Sequence, residues 1–514
     1  RVDESPVGVV TRAAIGADGT RMYQQRYPAA GTPNARVDLF LMDPDGSRTV
    51  QVDLGTDPDI YLARVDWSRD GRTLYVQRQN RAQTRLDLLA VDPATGRARV
   101  VLTDRSKSWI NLHNNFRALG DGSILWWSEN RGHGHLYRVR GGRWTPLTKG
   151  AWQVRDVIGL DEKAGRVWFT GNRETPLEQN VYAVSLGGGE PERLTETGWW
   201  NAARMDGGRM LVTRSRPSHP PQTYLADAAG QRLGWISQNH PGSNHPYFPY
   251  VAGHRPTQFG TVTARDGTVL YTRMITPPIK PGRRYPVWYL HYGGPGAGRQ
   301  VTMQWNGALE QYLVDRGWIV FALDHRGTPD RGKAFEDHIH RAMGGVEVDD
   351  QLAGLDWLVK QPFVDPKRVV TYGWSYGGYL TLKLLENAPG RFAAGIAGAP
   401  VTDWTLYDTH YTERYLGMPK GGDNAYPAAG TVADAAKIVD PLLIIHGMAD
   451  DNVVLDNTTR MMAAMQGAAV PFESMLYPGQ THRVGGPKVS VHLWRTMLDF
   501  ADRAAAPPED QATR

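Results

Sequence analysis

A serine set between glycines, Gly373-Trp374-Ser375-Tyr376-Gly377, ends a β-branched run (368–372) and precedes a segment of helical periodicity (379–386). Strand, tight turn and helix in that order make a nucleophile elbow, where glycines leave room around an exposed hydroxyl. Only two other serines follow residue 256: Ser474 lies inside a strand pattern and Ser490 at a helix start. A hydroxyl is a weak nucleophile at neutral pH until a base takes its proton. Two later strand patterns, 442–446 and 472–477, run into loops carrying Asp450 and His482. His482 can take the Ser375 proton and return it to a leaving amine, while an acid on the other loop orients the imidazole. Asp450 and its neighbour Asp451 both suit that role by spacing. His492 lies in a helical pattern (489–500) and reads as structural. A tetrahedral oxyanion needs two donors. The main-chain N–H of Tyr376 is one. The phenol of Tyr292, in the loop His291-Tyr292-Gly293-Gly294, is a candidate for the other, with a packed aromatic as the competing reading.

These loops need a scaffold. From residue 256 onward, apolar strand patterns (287–292, 318–323, 368–372, 393–397, 442–446, 472–477) alternate with helical ones (309–316, 346–360, 379–386, 432–437, 457–466). Apolar strands separated by helices predict a parallel sheet covered on both faces, here an α/β-hydrolase domain over 256–514. Residues 1–250 follow another period. A unit of two strands around a Gly-containing turn begins near Asp38, Asp87, His135, Asn180 and Thr223, at spacings of 49, 48, 45 and 43 residues. That pitch predicts β-propeller blades, with an irregular β-sandwich as the alternative.

Composition narrows the function classes. Hydrophobic residues make up 41% and charged residues 22%, which fits a folded chain. There is no cysteine, so disulfides, thiolate catalysis and Cys-ligated metals are excluded. The net charge of +5 arises from interspersed side chains without a basic stripe, giving no support to nucleic-acid binding. No apolar run is long enough to span a membrane as a helix. No metal or organic cofactor is implied.

A propeller followed by an α/β-hydrolase, with Gly373–Tyr379, Asp450-Asp451-Asn452-Val453, Tyr411-Thr412-Glu413-Arg414-Tyr415 and a Tyr-Gly-Gly-Pro loop, resembles the prolyl oligopeptidase family of serine peptidases. Within it, the motifs fit the dipeptidyl peptidase IV group best. The resemblance implies Ser375, Asp450 and His482 as the triad, Tyr292 as the oxyanion tyrosine, and Asn452 as a donor to a substrate carbonyl. It further implies that Tyr376, Val401, Trp404, Tyr407, Tyr411 and Val453 line a proline pocket. Trp404, Tyr407 and Tyr411 follow at i, i+3 and i+7, which would place them on one helical face. Asp324–Gly327 and Gly344–Gln351 match the family too and read as structural loops and helix starts.

The expected activity is therefore a serine exopeptidase that releases Xaa-Pro, and less readily Xaa-Ala, dipeptides from peptide N-termini. The family also suggests a homodimer and a periplasmic or secreted location, with cytoplasmic as the alternative. The group's amine-binding glutamate pair has no match in the chain and is expected upstream of Arg1, together with further blades. An oligopeptidase or acylaminoacyl peptidase is the nearest alternative, and a silent propeller scaffold is the alternative of another class.

Overall fold

In a computed structural model that describes residues 1–420 and 424–507, the chain forms a partial β-propeller followed by an α/β-hydrolase domain. Four sheets of four antiparallel strands, each in sequential order, run from Ile60–Trp67 to Arg232–Ser237. The repeat seen in the sequence is the outer half of each blade: Arg85–Val91 with Ala98–Arg105, for example, are the third and fourth strands of the first one. The inner strands carry mixed residues such as Arg64 and Asp66, so their periodicity is faint. Apolar faces of neighbouring blades close on each other. Leu86, Leu88 and Leu102 meet Trp126, Tyr137 and Val139, and Trp168 and Val181 meet Met210 and Val212. The unit near Asp38 forms only a two-stranded ladder, Phe40–Met42 with Thr49–Gln51. Ahead of it, the hairpin Val9–Gly16/Gly19–Arg26 is not a blade; it leans on the hydrolase domain.

The hydrolase sheet has eight strands: β1 (Thr257–Thr263), β2 (Val269–Ile275), β3 (Tyr285–Leu290), β4 (Ile319–Asp324), β5 (Val364–Trp374), β6 (Ala394–Gly398), β7 (Leu442–Gly447) and β8 (Glu473–Tyr477). Their spatial order is β1-β2-β4-β3-β5-β6-β7-β8, parallel from β4 onward. The apolar-run criterion finds six of them. It misses β1 and β2, the antiparallel edge, because one side of β1 faces water and its sequence (TQFGTVT) is half polar. Helices α1 (Leu309–Asp315), α2 (Val346–Leu358), α3 (Tyr376–Asn387), α4 (Thr409–Leu416), α5 (Asp456–Gly467) and α6 (Pro487–Ala504) complete the domain. Leu313, Leu493 and Met497 from α1 and α6 cover one face; Leu355, Leu384 and Met461 from α2, α3 and α5 cover the other. The expected helix at 432–437 is a 3₁₀ segment. Among the described residues, no helix is long and apolar enough to cross a membrane.

Candidate active site

Ser375 stands between β5 and α3 with φ +61° and ψ −118°, a conformation an L-residue adopts only under constraint. The constraint is visible. Ser375 N donates to Gly398 O at 2.7 Å, and Tyr379 N returns to Ser375 O at 3.0 Å. A Cβ on Gly373 would come within 2.4 Å of the Gly377 backbone, and one on Gly377 within 2.7 Å of His291 O, so the elbow closes only with glycine at both positions.

The loops after β7 and β8 bring their acid and base together. The Nδ1 of His482 lies 2.8 Å from Oδ2 of Asp450. Oδ1 of Asp450 accepts the main-chain N–H groups of Asn452 (2.9 Å) and Val453 (3.0 Å). With Nδ1–H directed at the carboxylate, Nε2 of His482 keeps its lone pair for a proton. Asp451 is exposed and outside this contact. His446, the last polar side chain of β7, is a partner that sequence reasoning missed. Its Nε2 lies 2.8 Å from Val453 O and 3.2 Å from Oδ2 of Asp450, the oxygen that faces His482. Burial would raise the Asp450 carboxyl, but hydrogen bonds from His446 and His482 outweigh it and draw it down to about 2. A lone histidine ending the apolar run Leu442–Gly447 was the available signal.

Tyr292, in the loop after β3, stands beside the Ser375 side chain, and its own burial pushes the phenol upward, so it stays a donor. Gln300 N and Val301 N anchor the remainder of that loop on the Asp324 carboxyl.

The aromatic residues converge, but not from one helical face. Trp404 lies in a 3₁₀ turn, Tyr407 in an extended link (φ −101°, ψ 167°) and Tyr411 on α4. The link cannot continue the 3₁₀ turn because Asp408 caps α4 through Tyr411 N at 2.8 Å. Trp404 and Tyr411 stack at 6.2 Å (21°), while Tyr407 stands edge-on to both, at 6.1 and 5.6 Å. Tyr376 closes the box 5.7 Å from Trp404, with Val401 and Val453 buried in the same cluster. The Tyr407 hydroxyl, pushed up to about 12 by burial, donates to Oδ1 of Asn452 at 2.9 Å.

The N-terminal segment braces this wall. Ile15 exchanges backbone hydrogen bonds with the loops of both Asp450 and His482: Ile15 N to Met448 O (3.1 Å) and Gly479 N to Ile15 O (2.7 Å). Ala30 N donates to Tyr407 O at 2.9 Å, and Thr409 N to Pro28 O at 2.9 Å. From the first blade, Arg81 grips the Glu413 carboxylate of α4 through Nε (2.8 Å) and Nη2 (2.7 Å), and Gly31 N adds a third donor at 2.8 Å. Nothing in the local sequence marks these partners.

The hydrolase half matches the model of the prolyl oligopeptidase family over residues 303–507, and residues 1–221 match that of the dipeptidyl peptidase IV N-terminal region. The chain belongs to the prolyl oligopeptidase family, on its dipeptidyl peptidase IV side. It is similar to a probable dipeptidyl peptidase 4 of Aspergillus flavus (28% identity over 473 residues, 88% of this chain and 61% of that protein). It is also similar to dipeptidyl peptidase 8 of Homo sapiens (27% over 582 residues, 97% and 64%). The crystal structure of Porphyromonas gingivalis dipeptidyl peptidase 4 superposes with a TM-score of 0.92 at 29% identity, covering 97% of this chain and 72% of that one. The chain thus spans less than two thirds of the length of these two curated relatives.

Proposed function

We propose that this chain carries the catalytic machinery of a dipeptidyl peptidase that cuts after Xaa-Pro, and less readily after Xaa-Ala, through an acyl-enzyme. The observation that carries the reading is the His482–Asp450 pair at 2.8 Å, on loops at the same sheet end as the strained Ser375 elbow. In this reading the Ser375 proton passes to Nε2 of His482 as Oγ bonds the scissile carbonyl carbon. The oxyanion is received by the Tyr292 hydroxyl and the Tyr376 N–H. His482 then protonates the departing amine as the C–N bond breaks, and water releases the dipeptide by the same steps. Asp450, kept ionised, stabilises the imidazolium in both stages. The box of Tyr376, Trp404, Tyr407 and Tyr411, closed by Val401 and Val453, is compact and apolar, which suits a pyrrolidine ring. Asn452, whose oxygen is occupied by Tyr407, has its NH₂ to offer a substrate carbonyl.

Hydrolysis of chromogenic dipeptides with free and blocked N-termini tests the reading. Release from free Xaa-Pro supports it. Cleavage of blocked substrates at equal rate would replace it with an oligopeptidase or acylaminoacyl peptidase. A homodimer and an exported location rest on family likeness alone; sedimentation and fractionation test them.

A further inference from the structure

Glu347 occupies the first turn of α2, has no solvent exposure, and lies outside every role assigned so far. Its Oε1 accepts the Tyr376 hydroxyl at 2.9 Å and Gly344 N at 2.5 Å. Its Oε2 is shielded from solvent and has no hydrogen-bond partner among the described residues. A half-satisfied buried carboxyl is a poor stability device, since burying it costs more than two hydrogen bonds return. What it does supply is a fixed acceptor behind one particular phenol. Tyr376 is the residue after the elbow serine. Its N–H opens α3 beside Ser375, and its ring touches both Trp404 (5.7 Å) and Tyr292 (6.5 Å). The turn leading to Glu347 is fitted to α3 from behind: a Cβ on Gly344 (φ +82°) would meet the Tyr379 hydroxyl at 2.3 Å.

We propose that Glu347 is a positioning residue for acylation: by holding the Tyr376 phenol it sets the floor of the aromatic box and the direction of the N–H next to Ser375. Without that acceptor the phenol is a buried donor with no partner, so the ring turns to find one and carries the start of α3 with it. The inference rests on the reading of Ser375 and the box given above, and its test separates the two.

The test measures phosphonylation of Ser375 by a small fluorophosphonate, which needs the oxyanion donors but no proline pocket, alongside kcat/KM for Xaa-Pro and Xaa-Ala substrates. Glu347→Gln keeps an acceptor oxygen and is expected within about threefold of wild type in both. Glu347→Leu and Tyr376→Phe are each expected to slow phosphonylation about 10- to 100-fold and to narrow the Pro/Ala ratio. Because both remove one interaction, Glu347→Leu/Tyr376→Phe should be no worse than either alone. Additive losses overturn the inference. So does a Glu347→Leu protein that melts earlier yet is phosphonylated at the wild-type rate. If Glu347→Leu does not fold, Tyr376→Phe decides: an unchanged rate and ratio sink the proposal. A wild-type protein not labelled at Ser375 overturns the functional reading instead.

Discussion

The hydrolase loops and the propeller-side braces differ in how they meet the aromatic wall. On the hydrolase side, the elbow, Asp450, His482 and Tyr292 each follow a parallel strand of one sheet by a few residues, so the sheet alone delivers them to one edge. On the propeller side, Arg81 and the 9–34 segment touch no candidate catalytic atom; they hold α4 and the loops of Asp450 and His482, while Asn111 ties the second blade to Glu336. The braces are themselves of two kinds. Arg81 and Glu413 form a matched ion pair. A little further along the seam, Glu129 of the second blade and Glu336 of the hydrolase face one Asn111 amide, at 2.9 and 2.8 Å. Burial first, and each other's charge for Glu336, push both carboxyls up. Lys333, over the Trp109 ring at 3.3 Å and paired with Asp337 at 2.9 Å, offsets this only in part. The candidate catalytic residues sit where one sheet converges its strand ends, and support sits where two domains must agree.

Five changes test that division. Ser375→Ala should lower kcat by roughly 10⁴- to 10⁶-fold with little change in melting temperature, because the members of the proposed triad would act as a unit; steady-state kinetics with an active-site titration reads it. Arg81→Ala strands the buried Glu413 carboxylate and should cost about 3 kcal/mol of stability in urea melts. Adding Glu413→Gln should recover most of this. An Arg81→Ala protein of normal stability but without activity would break the comparison. Trp404→Ala opens the box and should reduce the Pro-to-Gly preference about 10- to 200-fold, whereas an unchanged ratio makes the box ordinary core.

His446→Asn removes one donor from Asp450 and should lower kcat/KM about tenfold. The pH sign is definite. The native Asp450 carboxyl lies below its unfolded value, so the stability it adds, on the order of 2 kcal/mol, is present above pH ~4 and lost as pH falls through about 2. The variant should lose less on acidification over that window. Glu336→Gln is the mildest and has the opposite sign. A carboxyl raised in the native state favours folding when protonated and loses that advantage as pH rises. The variant should therefore melt roughly 2–4 °C higher at pH 8 and no higher at pH 4; a calorimetric scan at both values checks it.

How legible each part was in the sequence follows from the range of the interaction involved. The elbow is local: its glycines, the β-branched strand before it and the helix after it sit within about a dozen residues of the serine. The central hydrolase strands were visible because burial on both faces makes them apolar, as residues 319–323 show. The edge strand β1 was not, since one-sided exposure dilutes its pattern, and neither was its neighbour β2, whose buried stretch carries Thr272 and Arg273. In the propeller, the outer strand pairs announced themselves through their turns, and the inner strands did not.

Sequence by itself determined the order of the two domains, the position of Ser375 in a strained turn, and the two loops from which an acid and a base could come, because each depends on residues close along the chain. Spacing left Asp450 and Asp451 open and the resemblance chose Asp450, which the structure sets against His482; only the tertiary structure decided that Trp404, Tyr407 and Tyr411 converge from a 3₁₀ turn, a link and a helix. It alone set Arg81 against Glu413, 332 residues away, and the Tyr376 phenol on Glu347. Hydrogen-bond and ring contacts of this kind require side chains to be placed within tenths of an ångström, and across distant segments that placement is fixed by packing of whole elements rather than by spacing.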